Sequence, residues 1–233
     1  MKRFYKSVTL TNRTAEGYGL LLDNKPVQTP ARKTLFIKSY DIAQMVIKEW
    51  ESQTENILPL TMPVSQMAMT LTDRVIPFRG NLESEILGYI DTDLICYRTD
   101  EPEHYKLIQE EKWNPFVNWF KIKFHFDLQV TYGLSPLTQS DEIHQSIKKY
   151  MTSMNHESFM ALYITTLGTG SIILGLGFIE KDFSVDDILE AAFAEEKLKD
   201  KIYLADIYGT APDQARKVQT LKTELETLLH FIA

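Results

Sequence analysis

Cysteine is nearly missing from this chain of 233 residues: Cys96 is the only one. A single thiol excludes an internal disulfide and any zinc site built on paired cysteines, and it fits a reducing compartment. Basic charge is also short. Lysine and arginine number 25 against 32 aspartate and glutamate, for a formal net charge of −7 and a pI near 5.3. That balance argues against a nucleic-acid binder, which carries a basic stripe. The densest positive run, KIKFH at 121–125, reads as a helix face whose lysine stems lie along apolar surface. Nor is there a good membrane span. The stretch SFMALYITTLGTGSIILGLGFI at 158–179 is uncharged until its end and long enough, but its hydroxyls and four glycines suit a buried helix of a soluble fold better. The opening MKRFYKSVTL has no apolar core of a secretory signal and is not an arginine- and serine-rich transit segment.

What is present divides into two parts. FYKSVTLT, YGLLLDNKPVQTP and KTLFIKS are short aliphatic or β-branched runs punctuated by turns, which predicts a small β-rich unit. A helix is expected from Ser39 as N-cap, with Ile42, Val46 and Trp50 on one face and Trp50 as a core anchor. Beyond Pro59 and Pro63 the pattern becomes almost wholly helical. Segments are expected at 64–76, around Leu82, Ile86, Tyr89 and Ile90, along Trp113, Val117 and Phe120, and along Ile143, Ile147, Met151 and Met154. TQSD at 138–141 and SVDD at 184–187 match the helix-start capping box, and NHES at 155–158 also looks like a start. Val218, Leu221, Leu225, Leu228 and Ile232 form a short seam that docks on its own bundle. The class is therefore α+β: an N-terminal β-rich domain with one helix at 1–62, then a larger helical bundle at 63–233.

Catalytic machinery is hard to find. LGTGSIILGLG at 167–177 resembles a phosphate-cradling loop in glycine content alone. Leu176 and Gly177 stand where a P-loop needs lysine and a hydroxyl, and Ile173 stands where a dinucleotide fingerprint needs its third glycine. Gly168 and Gly175 are thus expected to let helices pack closely. The five histidines fit no metal-binding spacing, and no G-x-S-x-G elbow exists. Cys96 in DLICYR reads as an inert buried thiol. Asp91 and Asp93, just ahead of Arg98, form the one acid pair worth weighing for a metal-assisted hydrolase. Two residues apart on a helix they diverge, which favours a partner-facing or capping role. No catalytic residue, metal or cofactor is expected.

Several stretches, RFYKSVTL, YGLLLDNKPVQTPARKTLFI, AQMVIKEWESQTENILPLTMPVSQMAMTLTDRV, DTDLICYR and WNPFVNWF, together resemble the assembly chaperones that handle the alpha subunit of the F-type ATP synthase. The mitochondrial members are called ATP synthase assembly factor two. The resemblance runs over nearly the whole chain and is most specific in its first hundred residues. One segment departs from the family pattern. In DKIYLADIYGTAPDQARK, Tyr208-Gly209 replaces the family's Trp-Gly, Asp200, Tyr203 and Asp206 fall at matching positions, and the acids after the glycine are thinned to Asp213.

The resemblance implies ATP-independent binding to the free alpha subunit until the beta subunit docks. Asp206, Tyr208, Asp213, Asp91, Asp93 and Arg98 are then partner-facing, while Trp50, Gly168 and Gly175 are structural. It also implies that the helical bundle is orthogonal. A monomer with no nucleic-acid partner and no membrane insertion is expected, in the bacterial cytoplasm or, as a processed form, the mitochondrial matrix. The alternatives are a permanent structural subunit of a complex and the hydrolase built on Asp91 and Asp93.

Overall fold

In the computed structural model, residues 1–133, 135–202 and 212–232 are described, and element labels run over these. The chain divides into two compact units, the first comprising Met1–Arg79 and Thr227–Phe231, the second Gly80–Glu226.

Strands β1 (Val8–Leu10), β2 (Tyr18–Leu22), β3 (Lys25–Pro26) and β4 (Phe36–Ile37) build one antiparallel sheet in the first unit. β1 pairs with β2 on one side, and β3 and β4 pair with β2 on the other. The β2–β3 hairpin turns through Asp23 and Asn24, both with positive φ (47° and 65°). A two-residue turn of that kind matches the twist of its strands, and Asp and Asn tolerate its backbone better than branched residues. The Asp23 carboxylate accepts the amides of Lys6 (3.0 Å) and Ser7 (2.9 Å), so the turn also pins the approach to β1. These hydrogen bonds hold the carboxyl below the usual carboxylate range.

Helix α1 (Tyr40–Glu51) starts at Ser39, whose hydroxyl accepts the Ile42 amide. Its buried face carries Ile42, Ala43, Val46 and Trp50, which share one core with Leu20, Leu22 and Ile37 of the sheet and with Leu35. Trp50 is 7% exposed, its ring 5.6 Å from that of Tyr5, whose hydroxyl donates to the Trp50 carbonyl at 2.7 Å. Helix α2 (Pro63–Thr70) belongs to this unit as well, because Met62, Val64 and Ala68 complete the same core. The unit therefore extends beyond the proline-bracketed loop at 58–63. After a π-helical turn (Leu71–Val75), α3 (Ile76–Leu87) kinks at Phe78 next to Pro77, close to where the units divide. Pro77 explains the kink, since its ring clashes with the preceding turn.

The second unit is a helical bundle: α4 (Glu103–Phe124), α5 (Asp141–Ser153), α6 (His156–Thr169), α7 (Ile172–Ile179), α8 (Val185–Ala192), α9 (Ala194–Ile202) and α10 (Pro212–Leu229) as far as Glu226. Asn155 and Ser184 cap α6 and α8, the latter with a complete capping box through Asp187. The expected box at 138–141 is displaced: Ser140 is the cap of α5, two residues later than Thr138. Phe159 through Tyr163 are consecutive buried residues, as are Ile172 through Phe178. Helices apolar on every side belong at a bundle's centre, and α6 and α7 form that central hairpin. The long uncharged run is thus two short helices, and no described helix is long and apolar enough to cross a membrane. The region past Pro59 is not entirely helical. A two-residue parallel pair, β5 (Tyr97–Arg98) and β6 (Thr131–Tyr132), lies between α3 and α5 in sequence.

Candidate functional site

The glycine-rich stretch is a helix–turn–helix joint. Gly170 takes a left-handed conformation (φ 73°) that caps α6, and Ser171 caps α7 by accepting the Leu174 amide at 3.0 Å. A Cβ on Gly168 would stand 2.5 Å from Cδ1 of Leu221, and one on Gly175 would stand 2.9 Å from Leu162 Cδ1 and Thr166 Oγ1. Both glycines let packed helices approach. The N-terminus of α7, where an anion would be favoured, is already filled from within. Asp93 lies there fully buried, with one carboxylate oxygen accepting the Ile173 amide at 3.0 Å and the other the Ile95 amide at 3.1 Å. Burial pushes its carboxyl up to about 6, against the opposing pull of the Ser171 hydroxyl and the Ile173, Ile95 and Ile172 amides.

Asp91 and Asp93 are not brought together. Asp91 ends a 3-10 turn (Gly88–Asp91) and points toward the start of α5, its Oδ1 accepting the Gln139 amide (2.8 Å) and lying 2.9 Å from Nε2 of His144. Its own carbonyl accepts the Tyr97 hydroxyl, which in turn accepts the Leu137 amide. Arg98 is buried as well. Its Nε donates to the Ile95 carbonyl and Nη1 to Asn114 Oδ1, with the guanidinium 5.9 Å from the Trp113 ring centre. Burial lowers its pKa. The partner-facing reading of Asp93 and Arg98 is therefore corrected: both are interior groups that join the β5 region to α4 and α7. Asp91 keeps a partly exposed carboxylate. Cys96 is buried and desolvation raises its thiol far above the range in which a thiolate forms. Among the described residues no three metal-ligating side chains cluster.

Asp206 and Tyr208 lie outside the described residues. Asp213 is exposed in the first turn of α10, and Asp200 on α9 accepts a hydrogen bond from Gln214 of α10 at 3.1 Å.

Two features escaped sequence reading. Helix α2 has Pro63 at its start and no side-chain cap of its own. Glu49 of α1 supplies one, accepting the amides of Val64 and Ser65, both at 2.7 Å, and the Ser65 hydroxyl at 2.6 Å. Gln53 then fixes the loop between them, accepting from the Leu58 amide and donating to Thr61. The second feature is what this rigid loop displays. Leu58 and Leu60 are 55% and 92% exposed, next in sequence to the Glu55–Ile57 strip that pairs with the chain's first residues, where Met1 and Phe4 are also exposed. The signal in the sequence was ILPLTMP, apolar residues held between prolines.

Comparison with known proteins adds four findings. The sequence model described as "ATP12 chaperone protein" matches residues 2–121. A mitochondrial protein of Saccharomyces cerevisiae named ATP12 is 24% identical, over 82% of this chain and 69% of its own length. Among solved structures, ATP12 of Paracoccus denitrificans has the same fold (TM-score 0.86, 24% identity, 99% of this chain and 97% of that one). A protein of Agrobacterium tumefaciens described as a candidate chaperone also superimposes (TM-score 0.87, 27% identity, 99% and 85% covered).

Proposed function

The chain belongs to the ATP12 chaperone family, ATP synthase assembly chaperones, and from that premise we propose that it binds the free alpha subunit of the F-type ATP synthase and masks its interface until the beta subunit docks. The observation that carries the reading is the family match across residues 2–121, the same stretches on which the sequence resemblance rests. An unassembled subunit exposes an apolar face larger than the few hundred Å² a monomer ordinarily tolerates, roughly. A binder that covers such a face and then yields it needs a modest interface with polar groups setting orientation. Asp213, Asp206, Tyr208 and the exposed side of Asp91 are the polar candidates. The protein acts as a monomer and without ATP, in the cytoplasm of a bacterium or in the mitochondrial matrix.

The test is a pull-down from the native host with this chain as bait, followed by mass spectrometry. Recovery of alpha without beta supports the reading. Recovery of the whole synthase in fixed stoichiometry points to a permanent subunit and overturns it.

A further inference from the structure

Strand β1 has an open edge. The Asp23 amide donates to the Ser7 carbonyl (3.1 Å) and the Thr11 amide to the Gly19 carbonyl (2.9 Å), with Thr9 facing Leu21 between them. Alternation along an antiparallel pair therefore directs the backbone of Ser7, Thr9 and Thr11 toward β2 and that of Val8 and Leu10 away from it. Among the described residues nothing pairs with those outward amides and carbonyls.

A groove of about 740 Å³ runs along this edge, and its far wall is one face of α1: Tyr40, Gln44, Ile47, Lys48 and Glu51. Spacings of three and four put these residues on one side of the helix. Leu10 and Ile47, half-buried, give the groove an apolar floor continuous with the core. Tyr18 and Tyr40, rings 5.4 Å apart, and Arg13 also line it. Every lining residue belongs to the first unit. That unit differs in charge from the rest: residues 1–79 hold eleven lysines and arginines against seven acids, residues 80–233 fourteen against twenty-five.

We propose that the β1 edge and the facing side of α1 take up an extended segment of the client as an added strand. The proposal rests on the alpha subunit being that client. Unpaired strand edges are an aggregation hazard in any subunit awaiting its neighbours, and a strand edge beside a helix captures one through backbone hydrogen bonds, with pockets for alternate side chains. The segment presents apolar residues to Leu10 and Ile47 and an acidic residue to Arg13 and Lys48, as the local charge requires.

Amide hydrogen exchange of the full chain, with and without isolated alpha subunit, tests it. Exchange at Val8 and Leu10 slows at least tenfold on binding, while Thr9 and Thr11, already paired with β2, stay unchanged. The double variant Arg13→Glu, Lys48→Glu, both exposed positions, keeps its thermal midpoint and loses at least fivefold in affinity. Binding that leaves Val8 and Leu10 exchange unaltered overturns the added strand and leaves the client assignment standing. Absence of any binding overturns both, since the alpha subunit is the named occupant.

Discussion

The carboxylate of Asp93 accepts the amide of Ile173 at 3.0 Å, joining residues eighty positions apart at the start of the central helix α7. The bond satisfies an amide that a helix start otherwise leaves unpaired, yet it places a full charge in the interior. Burial raises the carboxyl from its ordinary 3.8 to about 6. Between those values the folded chain binds the proton more tightly than the unfolded chain does. This group alone therefore makes stability fall as pH rises through that window, by about 3 kcal/mol, with no contribution below it and the full cost above it. Against Asp93→Asn, which cannot ionise, the wild type should lose about 2 kcal/mol of relative unfolding free energy between about pH 4 and pH 7. Denaturant titrations at the two pH values measure this, and a gap independent of pH would remove the buried charge from the account.

Gly168 and Gly175 make different predictions although both lie at close approaches. The atom nearest a Cβ on Gly168 is the end of the Leu221 side chain, which rotates. A Cβ on Gly175 meets Leu162 Cδ1, Thr166 Oγ1 and, at 3.2 Å, the Leu162 backbone carbonyl, which has less freedom to move. Replacing glycine by alanine inside a helix contributes up to about 1 kcal/mol of stability, and overpacking costs about 1–3 kcal/mol. Gly175→Ala should lower the thermal midpoint, with a net loss of about 1–2 kcal/mol, and Gly168→Ala should be close to neutral. Equal midpoints for the two variants would contradict the packing argument.

Trp50 fills the first unit between α1 and Tyr5, and Tyr5 also bonds its carbonyl. Trp50→Arg puts a charge into that apolar core, at a cost of about 3–5 kcal/mol. Trp50→Phe keeps the apolar character and should cost less than half as much. Urea unfolding of the two variants distinguishes a core anchor from a surface platform, since a platform would leave both midpoints near the wild-type value.

Ser39, Asn155 and Ser184 are legible as helix starts in the sequence because a cap and its amide partner lie within four residues of each other. The buried stripe Ile42, Val46, Trp50 is legible for the same reason: its period is local. The start of α2 is not, because its cap is Glu49, fifteen residues upstream in another helix. The β5–β6 pair is two residues long on each strand and joins positions more than thirty apart, so no run of β-formers announces it. Asp93 shows the limit most clearly. Its spacing from Asp91 indicates divergence, but whether the side chain ends in water or against Ile173 depends on a contact far along the chain. Fold class was therefore readable from pattern, while the separation of interior acids from surface acids required the packed helices.

Two acids near the start of α10 in sequence carry the last prediction. Asp213 is exposed at the start of α10, and Asp206 precedes it in the stretch DKIYLADIYGTAPDQARK. Exposed charges away from a packed network alter stability by no more than about 0.5 kcal/mol. A charge at the edge of an interface, in contrast, sets orientation and association rate. Asp213→Lys should therefore leave the thermal midpoint within about 2 °C of wild type, and Asp213→Lys and Asp206→Lys should each weaken binding to isolated alpha subunit about tenfold, mostly through a slower association rate that high salt makes equal to wild type. Stopped-flow association at two ionic strengths measures both effects. Wild-type association rates for both variants at low salt would place the acidic contact elsewhere, with the partly exposed carboxylate of Asp91 the next position to reverse.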